Sequence, residues 1–276
     1  AGFPLVVYNR SQPAVIELVA EGASSVSSPA EVGEKVDVVF TNLPDSPDVE
    51  KVVFGENGII NSAKKGLIWV DNSTIKPAVT RQLATKLLEK GIMALDAPVS
   101  GGEIGAQNAT LAIMVGGPVS ALNTVMPILK AMGKTITHIG ESGCGQIAKA
   151  ANQIMVAAQM VAMGELLIFS QKAGADPQKV VEAIKGGAAQ CWTLDVKPQR
   201  LFMGNRQPGF KAQMQAKDLN IIIETAREYG IPLPSAAVDA QLYNSMVELN
   251  LGKQDNSAIL AILELLANVK LMVDDN

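Results

Sequence analysis

The sequence predicts an α/β domain built on a parallel sheet over residues 1–143, followed by an all-helical domain over residues 144–276. Two observations lead to this fold class. Short apolar or β-branched segments alternate with helical segments up to about residue 140, and no further strand-like segment follows residue 145. Strand–helix alternation with nearly continuous apolar strands is typical of a parallel sheet covered by helices on both faces.

Six segments of the first region have strand character. They are residues 4–8, 36–42, 66–71, 94–97, 110–115 and 135–139, with helices expected between them over 12–21, 80–90 and 119–132. In the second region several segments end at Gly or before Pro, as helices commonly do. These predicted helices cover 146–174, 177–186, 214–229, 234–250 and 256–273.

The composition bounds the class of protein. Hydrophobic residues make up 48% and charged residues 18%, which indicates a globular chain with a large core. The net charge of −4 gives no electrostatic case for nucleic acid. The longest apolar run, residues 154–169, is too short and too polar for a membrane span, so we expect a buried helix and no membrane. Two cysteines, Cys144 and Cys191, make no disulfide framework and favour the cytoplasm, with one disulfide left open.

The first candidate site is a strand that ends in a Ser-Gly-Gly turn, within Asp96-Ala-Pro-Val-Ser-Gly-Gly102. Exposed N–H groups in such a turn, together with the Ser100 hydroxyl, can hold a small carboxylate. Glycine is also what a turn with positive φ requires, so a structural role is the alternative. The two roles are compatible, and we predict that Ser100, Gly101 and Gly102 bind a substrate carboxylate.

The second candidate site is a glycine turn, Gly143-Cys-Gly145, that opens a helix. Residues at i, i+3 and i+4 share a helix face, so Lys149, Asn152 and Gln153 should point the same way. Lys149 lies in an otherwise apolar segment, and burial disfavours its charged form, which moves its pKa toward values useful in general acid catalysis. An ordinary exposed lysine is the alternative. A carboxylate cradle with this lysine and two amides predicts a site for a small hydroxy or oxo acid.

These motifs resemble those of the β-hydroxyacid dehydrogenases, the family of 3-hydroxyisobutyrate dehydrogenase and tartronate semialdehyde (2-hydroxy-3-oxopropionate) reductase. The resemblance runs in order from residue 1 to about residue 270. Its other motifs are Tyr8-Asn-Arg-Ser11, Leu43-Pro44, Asp71-Asn-Ser-Thr74 and Lys217-Asp218-Leu219. It implies a Rossmann-type first domain, an active site in the cleft between two domains, and dimers or tetramers that form through the helical domain. It also implies that Lys149 is the catalytic acid and base, and leaves open whether Asn152 or Gln153 contacts the substrate.

The cofactor that the resemblance implies is NADP(H), with NAD(H) left open. Asn9, Arg10 and Ser11 follow a strand at the place where an acidic residue would bond the ribose of NAD. An Arg suits a 2′-phosphate because it forms bidentate charged hydrogen bonds. The alternative is a solvated Arg10 beside a helix-capping Ser11.

Further contacts are implied by the resemblance alone. It places Leu43, Pro44, Asp48 and Thr74 along the cofactor, although Thr74 would by itself be taken for a helix cap. It places Lys217 near the cofactor, and Phe210 and Asp218 around the substrate, whereas the residue types alone indicate a surface pair at 217–218. The only histidine, His138, lies in a strand and is expected to be structural, and no metal-ligand spacing is present.

The Rossmann-type fold should open with a strand, a Gly-x-Gly-x-x-Gly turn and a helix that holds the pyrophosphate. The glycine clusters at 101–105 and 140–145 do not have that context in the predicted elements. We therefore expect this first β–glycine-loop–α unit, on the order of 25 residues, to be missing because the sequence is partial.

The predicted activity is the NADP(H)-dependent interconversion of a small β-hydroxy acid and its semialdehyde. The segments 184–187 and 207–210 most resemble those of tartronate semialdehyde reductases. The alternatives within the family are 3-hydroxyisobutyrate dehydrogenase and glyoxylate or succinic semialdehyde reductase. A non-catalytic binding or assembly protein is the alternative of a different class, because the phosphate loop is absent.

Overall fold

The structure is a computed structural model that describes residues 1–272. The chain divides into two compact units, Ala1–Lys149 and Ala150–Asn276.

The first unit contains eight described strands in two sheets. They are β1 (Val6–Val7), β2 (Ser24–Ser25), β3 (Val38–Thr41), β4 (Ile68–Asp71), β5 (Met93–Asp96), β6 (Val99–Ser100), β7 (Leu111–Gly116) and β8 (Gly133–Gly140). The larger sheet has the order β3-β4-β5-β7-β6, and β8 also pairs with β7. Strands β3, β4 and β5 are mutually parallel, as are β7 and β8, which confirms a sheet dominated by parallel pairing.

Helices flank these strands on both sides. They are α1 (Gln12–Ala20), α2 (Pro29–Lys35), α3 (Ser46–Phe54), α4 (Pro77–Glu89), α5 (Gly102–Gln107) and α6 (Val119–Met132), with a 3₁₀ turn at Ile59–Asn61. Two apolar clusters pack on the larger sheet. Trp69 belongs to one of them and its neighbour Val70 to the other, because successive strand residues point to opposite faces. The central strands β4 and β5 are therefore buried on both faces, as their unbroken apolar composition predicts.

Apart from connecting loops and one isolated β-bridge between Lys211 and Asp255, the described residues of the second unit form helices. A long helix, α7 (Cys144–Lys172), leads into it, and α8 (Pro177–Ile184), α9 (Trp192–Val196), α10 (Pro198–Phe202), α11 (Ala212–Glu228), α12 (Pro234–Glu248) and α13 (Leu260–Ala267) follow, with a 3₁₀ turn at Asn256–Ile259. Met160 of α7, Leu219 of α11 and Tyr243 of α12 meet in its fully buried core. Asp176 caps α8 by accepting hydrogen bonds from the N–H groups of residues 178 and 179.

Some predicted elements differ from the structure. The strand predicted over 4–8 is only two residues long, and it pairs with β2 in a separate sheet. Strand β7 runs antiparallel to β5 and β6, so the larger sheet is mixed. The helix predicted over 256–273 starts as a 3₁₀ turn and ends at Ala267, where Asn268 adopts a left-handed φ of 49°. Its last predicted residue, Val273, lies outside the described residues.

Helix α7 is the one described helix long and apolar enough to cross a membrane by length and composition alone. The mean hydropathy of its most apolar window is 1.5, and half of that window is buried inside the fold. Several of its residues, including Met160 and Leu167, belong to the helical core. A buried helix of this kind is what the apolar run at 154–169 predicts.

Candidate active site

Three polar residues stand side by side at the carboxyl ends of the parallel strands. The register pairs Thr41 of β3 with Asp71 of β4, and Asp71 with Asp96 of β5. All three are buried, with relative exposures of 6%, 0% and 1%. Open α/β sheets bind their ligands at this edge.

Asp71 is held by hydroxyl and amide donors. Its Oδ1 accepts hydrogen bonds from Thr41 Oγ1 (2.7 Å), Ser73 Oγ (2.6 Å) and Ser73 N (3.2 Å). Its Oδ2 is buried and accepts no hydrogen bond from residues 1–272. Burial raises the pKa of Asp71 to about 6, against the lowering effect of the bonds from Ser73 and Thr41. Near neutral pH this carboxyl therefore ionises against a substantial desolvation penalty.

Asp96 binds the glycine turn that opens α7. Its Oδ1 accepts from Gly143 N (2.8 Å) and its Oδ2 from Gln146 N (2.9 Å). A Cβ at Gly145 would lie 2.5 Å from the carbonyl oxygen of Met114 and 2.6 Å from that of Asp96, so only glycine fits there. Burial raises the pKa of Asp96, although the peptide N–H bonds lower it.

This turn corrects one expectation about the glycine clusters. Gly143-Cys-Gly145-Gln-Ile-Ala148 follows strand β8 and opens helix α7, so it does have the strand–turn–helix context of a phosphate loop. However, the N–H groups of Gly143 and Gln146, which a phosphate would need, already bind the carboxylate of Asp96.

Lys149 is buried in the second turn of α7. Its relative exposure is 7%, and its Nζ donates a hydrogen bond to the carbonyl oxygen of Val99 at 2.8 Å. Val99 directly precedes Ser100, so the amine lies at the strand that carries the predicted carboxylate cradle. The alternative of an ordinary exposed lysine is wrong.

The Ser-Gly-Gly turn has the backbone geometry that the sequence predicts. Gly101 has a φ of 133° and Gly102 a φ of 63°, both in the region that favours glycine. Ser100 is half-buried at the end of β6, and both glycines are exposed. These φ values satisfy the structural explanation, and the exposure leaves the peptide groups accessible for the functional one.

Gln146 is a site residue that the sequence reasoning missed. It is 2% exposed, and its side chain binds both neighbours of Thr74. Its Nε2 donates to the carbonyl oxygen of Ser73 (2.8 Å), and Ile75 N donates to its Oε1 (3.1 Å). An amide beside a glycine turn at the start of an apolar helix is the sequence signal that could have drawn attention to it.

In the second unit two hydrogen bonds and one ion pair join four predicted site residues. Asn152 Nδ2 donates to Gln153 Oε1 (2.8 Å), and Gln153 Nε2 donates to Asp218 Oδ2 (2.6 Å). Lys217 Nζ lies 2.8 Å from Asp218 Oδ1. Asp218 and Gln153 are each 3% exposed, so the interpretation of 217–218 as a surface pair is wrong.

The segment before Phe210 is anchored by a buried aspartate that the sequence reasoning also missed. Asp255 Oδ2 accepts from Gly209 N (2.8 Å) and Phe210 N (3.3 Å), while its Oδ1 lies 2.7 Å from Lys197 Nζ. Desolvation opposes ionisation of Asp255, but the bonds from Lys197 and Ser257 lower its pKa to about 2. Phe210 is half-buried at the end of this anchored segment.

Most of the predicted cofactor residues follow strands β1, β3 and β4, whereas Asp48 lies in α3 and Lys217 in α11. Asn9, Arg10 and Ser11 are exposed after β1, and Ser11 precedes α1 without capping it through its side chain. The Arg10 guanidinium lies 3.8 Å from the carboxylate of Asp48, a residue of α3. After β3, Leu43 N donates to Ser73 Oγ (2.8 Å), Pro44 is exposed, and half-buried Thr74 follows β4.

The histidine contacts the backbone, and the two cysteines form no disulfide. His138 lies in β8, with its Nε2 2.8 Å from the carbonyl oxygen of Gly117. Cys144 and Cys191 are both free thiols. Among residues 1–272, no group of three or more His, Cys, Asp or Glu side chains is arranged to hold a metal ion.

Family models match both parts of the chain. The NAD-binding domain of 6-phosphogluconate dehydrogenase matches residues 1–140. The NAD-binding region of NADP-dependent 3-hydroxyisobutyrate dehydrogenase matches residues 143–263.

Individual proteins match over nearly the whole chain. The 2-hydroxy-3-oxopropionate reductase of Escherichia coli (strain K12) is 43% identical, over 94% of this chain and 89% of that protein. The 2-(hydroxymethyl)glutarate dehydrogenase of Eubacterium barkeri is 32% identical, over 97% of this chain and 89% of that protein. The Mycobacterium tuberculosis 3-hydroxyisobutyrate dehydrogenase with L-serine superposes with a TM-score of 0.87, at 28% identity, covering 95% of this chain and 91% of that chain.

The fold and these matches define an NAD(P)-dependent oxidoreductase that acts on a CH–OH group. Within that class, the chain belongs to the β-hydroxyacid dehydrogenase family. Membership in a family of dehydrogenases and reductases favours the enzyme over a non-catalytic binding or assembly protein.

Proposed function

We propose that this chain is an NADP(H)-dependent tartronate semialdehyde (2-hydroxy-3-oxopropionate) reductase in which Lys149 is the proton donor. The observation that carries the catalytic part is the burial of Lys149 with its Nζ at the Val99 carbonyl, directly beside Ser100. The 43% identity to the E. coli 2-hydroxy-3-oxopropionate reductase supports the choice of substrate. In this proposal the substrate is a small carboxylate that also carries an aldehyde.

In the proposed chemistry, one set of residues binds the carboxylate of the substrate and Lys149 acts on its aldehyde. The Ser100 hydroxyl and the N–H groups of Gly101 and Gly102 bind the carboxylate. When bound, the nicotinamide cofactor supplies the hydride for the aldehyde carbon. Lys149 donates a proton to the aldehyde oxygen, which becomes the hydroxyl, and it takes that proton back in the reverse oxidation. General acid catalysis of this kind contributes about 10²–10⁴ in rate.

The polar residues of the second unit that are proposed to contact the substrate are linked to one another by hydrogen bonds. Gln153 is bonded at both ends of its side chain, to Asn152 and to Asp218. This arrangement supports Asn152 as the amide with more freedom to meet a substrate hydroxyl, since it is half-buried while Gln153 is buried. Phe210 is proposed as an apolar wall and Asp218 as the acceptor that orients the amides.

The residues after β1, β3 and β4 are proposed to bind the nicotinamide dinucleotide. The side chain of Arg10 is 76% exposed, so it is accessible to an anion, and Asp48 lies beside it. An exposed guanidinium at this position supports NADP(H) over NAD(H), because it can bind the 2′-phosphate bidentately. Leu43, Pro44, Thr74 and Lys217 are proposed as further cofactor contacts.

The substrate assignment is tested by comparing kcat/KM for four aldehydes: tartronate, methylmalonate and succinic semialdehydes, and glyoxylate. The expected result is the highest value for tartronate semialdehyde. A higher value for methylmalonate semialdehyde, the product of 3-hydroxyisobutyrate oxidation, would instead favour the 3-hydroxyisobutyrate dehydrogenase activity named for the M. tuberculosis structure.

The catalytic assignment is tested with Lys149→Ala. Turnover should fall by about 10²–10⁴ while the affinity for NADPH changes little, because the proposed role is proton transfer. Lys130→Ala, at an exposed position of α6, is the control. Undiminished turnover of Lys149→Ala would overturn the catalytic assignment.

The cofactor assignment is tested by titrating the protein with NADPH and NADH and following nicotinamide fluorescence. Arg10→Ala should weaken NADPH binding more than NADH binding, because only NADPH carries the 2′-phosphate. Arg227→Ala, an exposed arginine of α11, should change neither. Equal loss for both cofactors, or for neither, would contradict the role of Arg10.

Self-association through the helical unit, as a dimer or tetramer, is also part of the proposal. Phe169, Leu265 and Leu266 are 75%, 66% and 71% exposed, and such apolar exposure is typical of an interaction surface. Sedimentation analysis should give an oligomer that Leu266→Glu dissociates; a monomeric parent protein would refute this. The proposed location is the cytoplasm, in keeping with the two free thiols.

A further inference from the structure

The Gln146 side chain ties down the loop around Thr74. Its amide uses one donor, at the carbonyl oxygen of Ser73, and one acceptor, at Ile75 N, with distances of 2.8 and 3.1 Å. These are the peptide groups on the two sides of Thr74. The Gln amide carries a donor and an acceptor on separate atoms at the tip of its side chain, so it can bond both peptide groups at once.

The backbone of the same residue is fixed from another direction. Gln146 N donates to Asp96 Oδ2 at 2.9 Å, and Gly143 N donates to Asp96 Oδ1 at 2.8 Å. Two bonds to one buried carboxylate set both the position and the rotation of the first turn of α7. A movement of the Thr74 loop that pulled the backbone of Gln146 with it would break the bond to Asp96.

The position of the first turn of α7 also sets the position of Lys149. Lys149 follows Gln146 by three residues, a rise of about 4.5 Å along the same helix face. Its Nζ ends at the carbonyl oxygen of Val99, and Val99 follows Asp96 by three residues. Covalent bonds and hydrogen bonds thus connect Asp96, Val99, Lys149 and Gln146 in a closed ring. This ring fixes the position of the Lys149 amine.

We infer that Gln146 is a positioning residue that fixes the proposed cofactor contact Thr74 relative to the proposed proton donor Lys149. The inference rests on the proposed function, because it presupposes the role of Lys149. Gln146 acts through its neighbours and touches neither substrate nor cofactor in this account. A displacement of about 1 Å of a catalytic group can lower a rate about 10²-fold, so loosening this link should affect turnover.

The test compares Gln146→Met with a variant that disturbs only the core. Met has a similar length and offers neither the donor nor the neutral amide acceptor. Leu87→Ala, at a fully buried position in the last turns of α4, serves as the stability control. Gln146→Met should lower kcat about tenfold or more with little change in KM, whereas Leu87→Ala should keep kcat even though its melting temperature falls.

A second variant gives a pH signature that a purely structural role would not. In Gln146→Glu, an ionised carboxylate faces the carbonyl oxygen of Ser73, whereas a protonated one can donate to it. The kcat of Gln146→Glu relative to the parent protein should therefore rise as the pH is lowered. A ratio that does not depend on pH would count against the inference.

Hydrogen exchange gives a readout that needs no turnover. The amide of Ile75 should exchange about tenfold faster or more in Gln146→Met than in the parent protein, because its acceptor is gone. In Leu87→Ala, the amide of Ile75 should exchange faster only to the extent that the other buried amides of the first unit do. Equal protection of Ile75 in Gln146→Met would overturn the inference.

Parallel measurements on Lys149→Ala separate this inference from the proposed function. If Lys149→Ala keeps full turnover, the proposed function fails, whatever Gln146 does. If Lys149→Ala is inactive but Gln146→Met keeps kcat within about twofold, the positioning inference alone fails. In the double variant, kcat should be only slightly lower than in Lys149→Ala alone, because the effects of substituting two residues that act through one another are not additive.

Discussion

Asp96 in the first unit and Asp255 in the second unit each anchor a backbone segment, but the pKa of Asp96 is raised and that of Asp255 is lowered. Each is at most 1% exposed, and each accepts two peptide N–H groups from a glycine-containing segment that leads to a predicted site residue. Asp96 anchors the turn before Lys149, and Asp255 anchors the segment ending at Phe210. The pKa of Asp96 is raised by burial, whereas bonds from Lys197 and Ser257 lower the pKa of Asp255.

The difference shows what a buried carboxylate needs in order to remain ionised. At Asp255 a buried ammonium, Lys197 Nζ at 2.7 Å, compensates the charge. At Asp96 the main opposing effect comes from peptide dipoles, which lower the pKa by less than burial raises it. The second unit should therefore depend strongly on one ion pair, and the first unit should be more sensitive to pH.

The largest expected effect is the loss of the cation in the second unit. Lys197→Met leaves the buried carboxylate of Asp255 with only the Arg200 guanidinium, 3.8 Å away, as a nearby cation, and this should lower the free energy of unfolding by about 3–5 kcal/mol. Urea denaturation followed by circular dichroism measures it. The control is Lys179→Met, which removes an exposed pair with Asp176 and should cost no more than about 1 kcal/mol. Equal losses of unfolding free energy in Lys197→Met and Lys179→Met would contradict the special dependence of the second unit on the buried ion pair.

A third aspartate, Asp71, should make the stability of the first unit depend on pH. Its folded-state pKa of about 6 lies above the ordinary value, so the folded state binds its proton more tightly than the unfolded state. Its contribution to stability is present below about pH 4 and is lost as the pH rises through 6, a change on the order of 3 kcal/mol. Asn mimics the protonated carboxyl and does not titrate.

The measurement is the unfolding free energy of Asp71→Asn and of the parent protein from pH 4 to pH 8. The stability of Asp71→Asn relative to the parent protein should rise between pH 4 and about pH 6.5 and then level off. Asp255 should show the opposite sign: its contribution is present above about pH 4 and is lost as the pH falls toward 2. A pH-independent difference for Asp71→Asn would contradict its raised pKa.

The smallest expected effect on stability is that of Asp96→Asn. One amide oxygen can still accept a peptide N–H, but the amide NH₂ then faces the second N–H donor, which leaves a donor unsatisfied. This should cost about 1–3 kcal/mol and lower turnover, because the turn before Lys149 is loosened. Thermal unfolding and kcat measure the two effects. A loss as large as that of Lys197→Met would remove the distinction between the two aspartates.

Much of the fold could be predicted because local patterns carry it. Helix α6 has the predicted bounds, and the buried strands lie within the predicted apolar segments apart from one or two residues at their ends. The antiparallel pairing of β6 could not be predicted, since it is a two-residue strand chosen by contacts with β7. The separate sheet of β1 and β2 likewise depends on tertiary contacts rather than on composition.

The candidate site was predictable where neighbouring residues define it. The positive φ values of Gly101 and Gly102 follow from the residue type, and the burial of Lys149 follows from its apolar neighbours. The residue type of Gln146 is a signal in the sequence, but its contacts with the loop around Thr74 could not be predicted, because they depend on which loop the first turn of α7 faces. The burial of Asp218 is similar: it arises only where α11 packs against Gln153.

The most direct test of the central claim is chemical rescue of Lys149→Ala. If the Lys149 amine donates the proton, small primary amines such as ethylamine should restore part of the lost turnover in proportion to their concentration. They should not stimulate the parent protein. Full turnover of Lys149→Ala without any added amine would contradict the account.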